Sequence, residues 1–285
     1  MNIKFLKIFY SFLLSFLIFT SSSAKNFSDF FSNLIPGEGI TEASIQINED
    51  DNPDLEILAV RDIESSKNTN FFTQFSLHTQ ESNNHDRFIG NLGFGYRKLS
   101  DDRSNLFGFN VFLDNDFQAG HQRGSLGLEL KGAFLDLTAN SYHKLTNQQV
   151  YKGDKEQVLS GYTINLASQI PYAPWAKINW NNYSWDNEKA KQDTDGNAIA
   201  LEAYLTPSVQ FEIKNDMSNN SGIEDEVTYK LTYNYPPKSD GSSMQDGLSS
   251  IAFEKQDMTA KLKEKVKRDN NIVIEIQGSI IVTSK

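Results

Sequence analysis

The residues of this chain whose types and spacing could do chemistry are charges rather than nucleophiles. Arg97, Asp114, Asp116, Arg123, Glu129 and Lys131 fall in three neighbouring stretches, and Lys261, Lys263, Lys265, Lys267 and Arg268 form a basic run nearer the C terminus. Charges two residues apart share one face of an extended strand. The first set can therefore pair across strands as a ladder of ion pairs, or line a conducting lumen and set its selectivity. The groups that catalysis needs are poorly arranged. The chain has no cysteine, which removes disulfides, thiolate metal ligands and a thiol nucleophile. Asp193-Thr194-Asp195-Gly196-Asn197 opens like a calcium loop but lacks the third acidic position and the closing Glu in register, and reads better as a hairpin loop. Asp50-Asp51 and Asp101-Asp102 are adjacent in turns and not poised across a cleft for acid/base work. No motif brings Ser125, Ser141 or Ser160 to His121 or His143. His121 sits in a tight turn with Gly120 and Arg123 and reads as a hydrogen-bonding turn residue rather than a ligand. No catalytic, cofactor or metal site is expected, and no enzymatic activity.

The elements that must position these charges are strands. In the stretch 90–99, Leu92, Phe94 and Tyr96 fall on one face while Asn91, Gly93, Gly95 and Arg97 fall on the other. Phe107, Phe109, Val111 and Leu113 oppose Gly108, Asn110, Asp114 and Asp116 in the next stretch. Leu126, Leu128 and Leu130 then oppose Arg123, Ser125, Gly127, Glu129 and Lys131. One face suits hydrocarbon and the other suits water. A soluble sandwich also alternates, with strands of about five or six residues, whereas a tilted strand needs about nine to eleven to cross a bilayer. Pattern alone leaves a membrane barrel and a soluble β protein both open.

The N terminus narrows the choice. Lys4 and Lys7 precede an apolar run at 8–19, and Ser21, Ser22, Ser23 and Ala24 supply small residues, which reads as a secretory signal peptide cut after Ala24. The run is shorter than the roughly 20 residues of a spanning helix, so a membrane anchor is the weaker reading. The formal net charge of −10 argues against nucleic acid and anionic lipid surfaces as partners. No Pro-rich or Ser/Gly-rich linker divides the middle of the chain, which favours one large unit. Twelve strands are expected, at 42–48, 55–62, 70–79, 87–99, 105–116, 123–133, 135–142, 160–170, 176–183, 198–206, 209–214 and 226–235. Twelve is even, as bacterial single-chain barrels require. Short joins near 133–135, 171–175 and 206–208 alternate with longer polar ones at 147–156, 186–197 and 215–225. Trp175, Tyr183, Trp185 and Tyr235 stand near strand ends as candidate interface girdles.

At this point spaced motifs carry a family resemblance. Gly-Asn-Leu-Gly-x-Gly-Tyr-Arg at 90–97, Gly-x-Asn-x-Phe-x-Asp-x-Asp at 108–116, Gly-His-x-Arg at 120–123 and Gly-Leu-Glu at 127–129 occur in order. Together they resemble the β-domain of inverse autotransporters, the intimin and invasin group. Val266-Lys267-Arg268-Asp269-Asn270-Asn271-Ile272-Val273 resembles the segment that closes this domain. The resemblance implies an all-β fold: a twelve-stranded antiparallel transmembrane β-barrel in a bacterial outer membrane, with a linker running outward through the lumen to an adhesive passenger. It also implies membrane lipid, the barrel-assembly machinery and periplasmic chaperones as partners. The chain to Lys285 is expected to carry no folded passenger, leaving a separately encoded one as a candidate partner, and no peptidoglycan-binding module before the first strand. The expected division is a signal peptide at 1–24, a periplasmic segment at 25–41, a barrel at 42–246 and a linker helix with a short tail at 247–285.

Within that linker, Met258, Leu262 and Val266 recur every four residues after a candidate N-cap, Asp257, which reads as a helix over 257–268. Lys261, Lys265 and Arg268 lie on the same element. As a plug in the lumen, the helix would set its cations against inward carboxylates such as Asp114, Asp116 and Glu129; as a solvated helix at the periplasmic rim it would not. A stand-alone structural or pore-forming barrel is the alternative to a display device.

Overall fold

The computed structural model describes residues 35–48, 52–83, 85–220, 223–238, 242–253, 258–276 and 279–281; the expected signal peptide and the candidate cap Asp257 lie outside them. Twelve strands close a barrel: β1 (Gly39–Ile47), β2 (Asp54–Ser65), β3 (Thr69–Ser82), β4 (His85–Leu99), β5 (Asn105–Asp116), β6 (Gln122–Gly132), β7 (Leu135–Lys144), β10 (Ser160–Ile170), β11 (Ala173–Asp186), β12 (Thr194–Thr206), β13 (Val209–Ser218) and β14 (Glu226–Tyr235). Each pairs antiparallel with the next in order, and β1 closes the wall on β14, with Thr41 opposite Tyr235. Closure leaves no unpaired edge in the wall, the condition for spanning a membrane with strands.

The twelve expected strands are these twelve. The largest differences lie at β11, β12 and β13, which extend several residues into the polar stretches 184–186, 194–197 and 215–218. Apolar alternation stops where the wall leaves hydrocarbon, but ladder hydrogen bonds need only backbone and continue past it. The strand ends that face the β2–β3, β4–β5, β6–β7, β10–β11 and β12–β13 joins share one rim, and those that face the β1–β2, β3–β4, β5–β6, β7–β10, β11–β12 and β13–β14 joins share the other. The first is the short-turn rim, periplasmic in outer-membrane barrels, and the second the long-loop rim.

The join between β7 and β10 contains structure the sequence pattern did not reveal. β8 (Gln149–Tyr151) and β9 (Asp154–Val158) form a hairpin there, and β9 pairs with β15 (Ile274–Ile276), which pairs with β16 (Ser279–Ile281). This small sheet caps the long-loop rim.

The outer face carries the expected apolar belt, with Leu92, Phe94, Tyr96, Phe107, Phe109 and Leu128 among its exposed residues. Two candidate girdle aromatics are not on it: Tyr183 and Trp185 are 1% and 0% exposed. They share the lumen face of Asn179, while Ile178 and Trp180 take the outer one. Strand parity, which position near a strand end does not reveal, decides this.

The linker also differs from expectation. Among the described residues of the expected helix only Met258–Lys263 is helical, as a short 3₁₀ segment, and the chain from 264 to 273 is neither helix nor strand, with bends at Glu264, Arg268 and Asn271. In a lumen lined by amides and guanidiniums, the backbone groups that would bond within a helix find partners on the wall instead. Four buried apolar clusters are stacked along the lumen: Leu99 and Leu106 with Met258 and Leu262; Leu58, Val60, Phe72 and Phe112 with Val266; Tyr142, Leu159, Tyr183 and Trp185 with Val273; and Ile89 and Val158 with Ile272, Ile274 and Ile276. Every cluster includes the C-terminal segment, which forms the spine of the interior core.

Candidate functional site

The segment 258–276 is a strap that enters at the short-turn rim, where Met258 N donates to Arg103 O in the β4–β5 turn, and reaches the long-loop rim as β15. Its backbone is bonded to wall side chains along almost its whole length. Arg97 Nη1 donates to the carbonyls of Leu262 (3.1 Å) and Glu264 (2.5 Å), and Asn70 Nδ2 to Leu262 O at 3.1 Å. Val266 N donates to Gln74 Oε1 (2.7 Å), and Asn140 Nδ2 donates to Lys267 O (3.1 Å). Asp269 N donates to Tyr142 Oη (2.7 Å), while its carbonyl accepts from Arg123 Nη2 (2.9 Å). Asn91 Nδ2 donates to Asn270 O (2.9 Å), and Gln80 exchanges two 3.0 Å bonds with the backbone of Ile272. A β-strand would find these partners on a neighbouring backbone; here amide and guanidinium side chains from β3, β4, β6 and β7 supply them.

Beneath this backbone lies a layer of buried charge. Arg97 grips Glu129 with two bonds, 2.8 and 2.9 Å, while its guanidinium lies 4.4 Å over the ring of Phe72. Lys131 joins Glu129 to Glu264 of the strap, 3.3 Å to each. Asp114 accepts from Arg123 (2.9 Å), from Arg268 of the strap (2.7 Å) and from Asn91 (2.7 Å). Arg123 faces Asp114 because the two residues are register partners of β6 and β5. Arg268 lies 4.3 Å over Phe112. The Gly-x-Gly of β4 makes both stacks fit: a Cβ on Gly95 would stand 2.3 Å from Phe72, and one on Gly93 2.3 Å from Phe112. The two rings lie against bare backbone and become platforms for a cation each.

The strap's lysines look the other way. Lys263, Lys265 and Lys267 alternate in sequence with Glu264, Val266 and Arg268, whose side chains meet Lys131, the Phe72 and Phe112 cluster, and Asp114. Lys263 reaches Asp62 (2.7 Å) and Glu38 (3.2 Å), Lys265 reaches Glu42 (2.5 Å), and Lys267 reaches Glu202 (2.5 Å) and Glu212 (3.6 Å). Lys261, in the 3₁₀ segment, pairs with Asp136 at 2.6 Å. Of the three carboxylates expected to meet strap cations, only Asp114 does so. Glu129 binds Arg97 and Lys131, and Asp116 binds Arg87 at 3.0 Å. The carboxylates that receive the lysines lie on β1, β2, β7, β12 and β13 and, for Glu38, just ahead of β1, outside the motifs at 90–129. The strict Lys-x-Lys-x-Lys spacing at 263–267, which an α-helix would spread around its surface, was the available signal against a continuous helix.

Between the strap and the walls of β10–β14, β1 and β2 lies a cavity of about 200 Å³ lined by polar groups, including Asn179, Gln210, Lys214, Asp216, Lys230 and Thr232. The strap occupies one side of the lumen and leaves the other open.

At the long-loop rim His121 is tied to a carboxylate. His121 Nε2 and Glu156 Oε2 lie 3.0 Å apart, and Arg87 bridges Glu156 (2.6 Å) to Asp116 (3.0 Å). Asp116 Oδ1 in turn accepts from the backbone of Gln118 and Ala119, closing the turn that contains Gly120. Glu156 lies on β9, so this cluster fixes the hairpin that receives β15. Glu275 of β15 is buried, and its carboxylate accepts backbone N–H from Glu188 (3.1 Å), Lys189 (3.1 Å) and Ala190 (2.6 Å) in the β11–β12 loop. Three successive amides facing one carboxylate form an anion-binding nest, and the chain's own side chain fills it.

Two of the acidic groups weighed in the sequence are held within turns. Asp102 accepts from Ser100 Oγ (2.5 Å) and Ser104 Oγ (2.8 Å), donors that hold its carboxyl down at about 2. Asp193 Oδ1 accepts from Asn187 N (3.1 Å) within the hairpin loop. One pair that no motif suggested does form: Ser141 Oγ and His143 Nε2 are 3.1 Å apart on the exposed face of β7. Residues two apart share a face, and among the described residues no carboxylate orients that histidine.

A closed, even-stranded antiparallel barrel with an apolar belt outside and charge inside is an outer-membrane β-barrel. Comparison with known proteins gives the particular family. Residues 30–270 match the inverse autotransporter β-domain, and the chain belongs to that family. It is 25% identical over 206 residues to intimin from Escherichia coli O157:H7, covering 69% of this chain and 22% of that protein. It is also 25% identical over 217 residues to invasin from Yersinia enterocolitica (73% and 25%) and over 223 residues to the inverse autotransporter adhesin YeeJ from Escherichia coli K12 (74% and 9%). The chain thus spans a quarter or less of these relatives. Among solved structures, a chain from a study of in-meso crystallization of membrane proteins shares the fold at a TM-score of 0.66 and 20% identity, covering 84% of this chain and all of that one. An outer-membrane channel from Pseudomonas putida F1 does so at 0.50 and 10%, covering 70% and 97%.

Proposed function

We propose that this barrel is a translocator that holds a polypeptide through the outer membrane for display. The observation that carries this reading is the continuous strap, which runs from the short-turn rim at Met258 to the long-loop rim at Ile276 and is bonded to the wall throughout. Chain that follows β15 would emerge on the outer side. The displayed object would be a downstream or separately encoded passenger, by analogy with the adhesins that this chain resembles. Insertion of the barrel would depend on the barrel-assembly machinery and periplasmic chaperones. The mechanism asks nothing of a catalytic residue. The wall's amides and guanidiniums pair with backbone groups, which every sequence possesses, so an extended chain can lie in the lumen without a sequence-specific fold of its own.

A second reading, a stand-alone pore, draws support from the polar cavity beside the strap. Single-channel recordings on the refolded protein in lipid bilayers, with and without residues 247–285, separate the two. A closed full-length barrel and a conducting truncated one support the translocator held shut by its own strap. Equal conductance from both would show that the strap leaves a working pore and would favour the second reading.

A further inference from the structure

Between the end of β14 and the strap, the chain does not cross the short-turn rim directly. It passes the strand ends in reverse order, held to successive turns by main-chain bonds. Lys238 N donates to Pro207 O in the β12–β13 turn, Ser249 N to Tyr172 O, and Tyr172 N in the β10–β11 turn to Ala252 O. Trp175 Nε1 donates to Gly247 O at 2.7 Å, and the ring of Phe253 lies 5.0 Å from that of Phe134 in the β6–β7 turn. Residues 242–253 therefore form a fixed belt along the rim.

Beside its serines and Gln245, this belt carries four large side chains that do not suit water. Met244, Leu248, Ile251 and Phe253 are exposed, Leu248 to 73%. The one charged residue of 242–253 is Asp246, whose carboxylate is occupied by Ser243 N (2.8 Å) and Ser243 Oγ (3.2 Å). The apolar set continues the lipid-facing belt of the wall, because Phe134, Leu135 and Ile178 are exposed at the same end of the barrel. Ala176 shares the outer face of Ile178 and Trp180 yet is only 3% exposed, close to where the belt runs past β11. An indole that satisfies its N–H on the protein while its ring stays partly exposed is typical of the headgroup level.

We infer that residues 244–253 are an interfacial membrane anchor, with phospholipid of the periplasmic leaflet as the partner. Apolar side chains on a surface segment bind a bilayer by burying themselves in the boundary between headgroups and acyl chains, and a patch joined to an existing lipid face has lipid as its neighbour. The anchor would fix the point at which the strap turns into the lumen. This inference does not depend on whether the strap is displayed or conducts.

The absence of native cysteine allows a clean test on the full chain. Single nitroxide labels at Leu248→Cys and Ile251→Cys, in protein reconstituted into phosphatidylethanolamine/phosphatidylglycerol vesicles, are compared by power saturation with labels at Leu128→Cys on the belt and Asp101→Cys in the β4–β5 turn. Oxygen, which partitions into acyl chains, should relax the Leu248 and Ile251 labels several-fold more than a water-soluble nickel chelate does, as at Leu128. Stronger relaxation by the nickel chelate, as at Asp101, would overturn the inference. Protection from both reagents would overturn it too, because it would mean that protein, such as a second copy of the chain, covers the belt. Heat-modifiable migration in gels confirms that each labelled protein is folded.

Discussion

The two sides of the lumen hold the strap in different ways. On the side of β3 to β7, buried guanidiniums and amides bond its backbone and one carboxylate, Asp114, takes its only arginine. On the side of β10 to β14, β1 and β2, Lys265 and Lys267 border a polar cavity and meet carboxylates with their tips. Backbone bonds are indifferent to side-chain identity and fix the path of the chain; lysine tips sense charge and leave the path loose. One wall acts as a mooring and the other as a counter-charged surface.

The largest effect is expected at Asp114→Asn. The change leaves Arg123 and Arg268 buried against a neutral partner, and loss of one member of a buried pair costs about 3–5 kcal/mol. Protease cleavage of the strap in intact proteoliposomes should rise, and the gel-shift melting temperature should fall. A variant indistinguishable from the parent would break the mooring side of the comparison. Glu275→Ala should act less strongly, because the three amides it leaves in the β11–β12 loop lie at a rim; an unsatisfied group of that kind costs about 1–3 kcal/mol. Hydrogen exchange should quicken at 188–190 and 274–276 while the amides of β4 and β5 hold their rates. Exchange that quickens throughout the strap would show instead that the outer clamp holds the whole segment. The smallest effect is expected at Lys267→Gln. Its side chain is 37% exposed, and a pair in such a setting contributes about 1 kcal/mol or less. Raised salt should change its stability less than it changes that of the parent. A loss as large as that of Asp114→Asn would erase the distinction between the walls.

Much of this architecture is legible in the residues. Alternation at 90–99, 105–116 and 123–133 states both the strands and which of their faces is apolar, because the period of two is local and survives any tertiary arrangement. The Gly-x-Gly of β4 was visible as a motif, but its purpose was not: the rings that fill the space belong to β3 and β5. Trp185 and Tyr183 were misplaced because strand parity near a rim depends on a register set by neighbours. The β8–β9 hairpin is short and polar, and it pairs with β15, which lies more than a hundred residues further along the chain.

The strap shows most clearly where local information ends. Side-chain type and period gave the strands, their apolar and polar faces and a basic, amphipathic C-terminal segment, while the closed barrel was implied by the family resemblance of the spaced motifs. That this segment leaves the helix after Lys263, which wall holds its backbone and which carboxylates receive its lysines came only with the folded molecule. The reason is physical: a period records only which side chains could share a face, whereas the wall groups that bond this backbone belong to strands far away in sequence, and no local pattern records them.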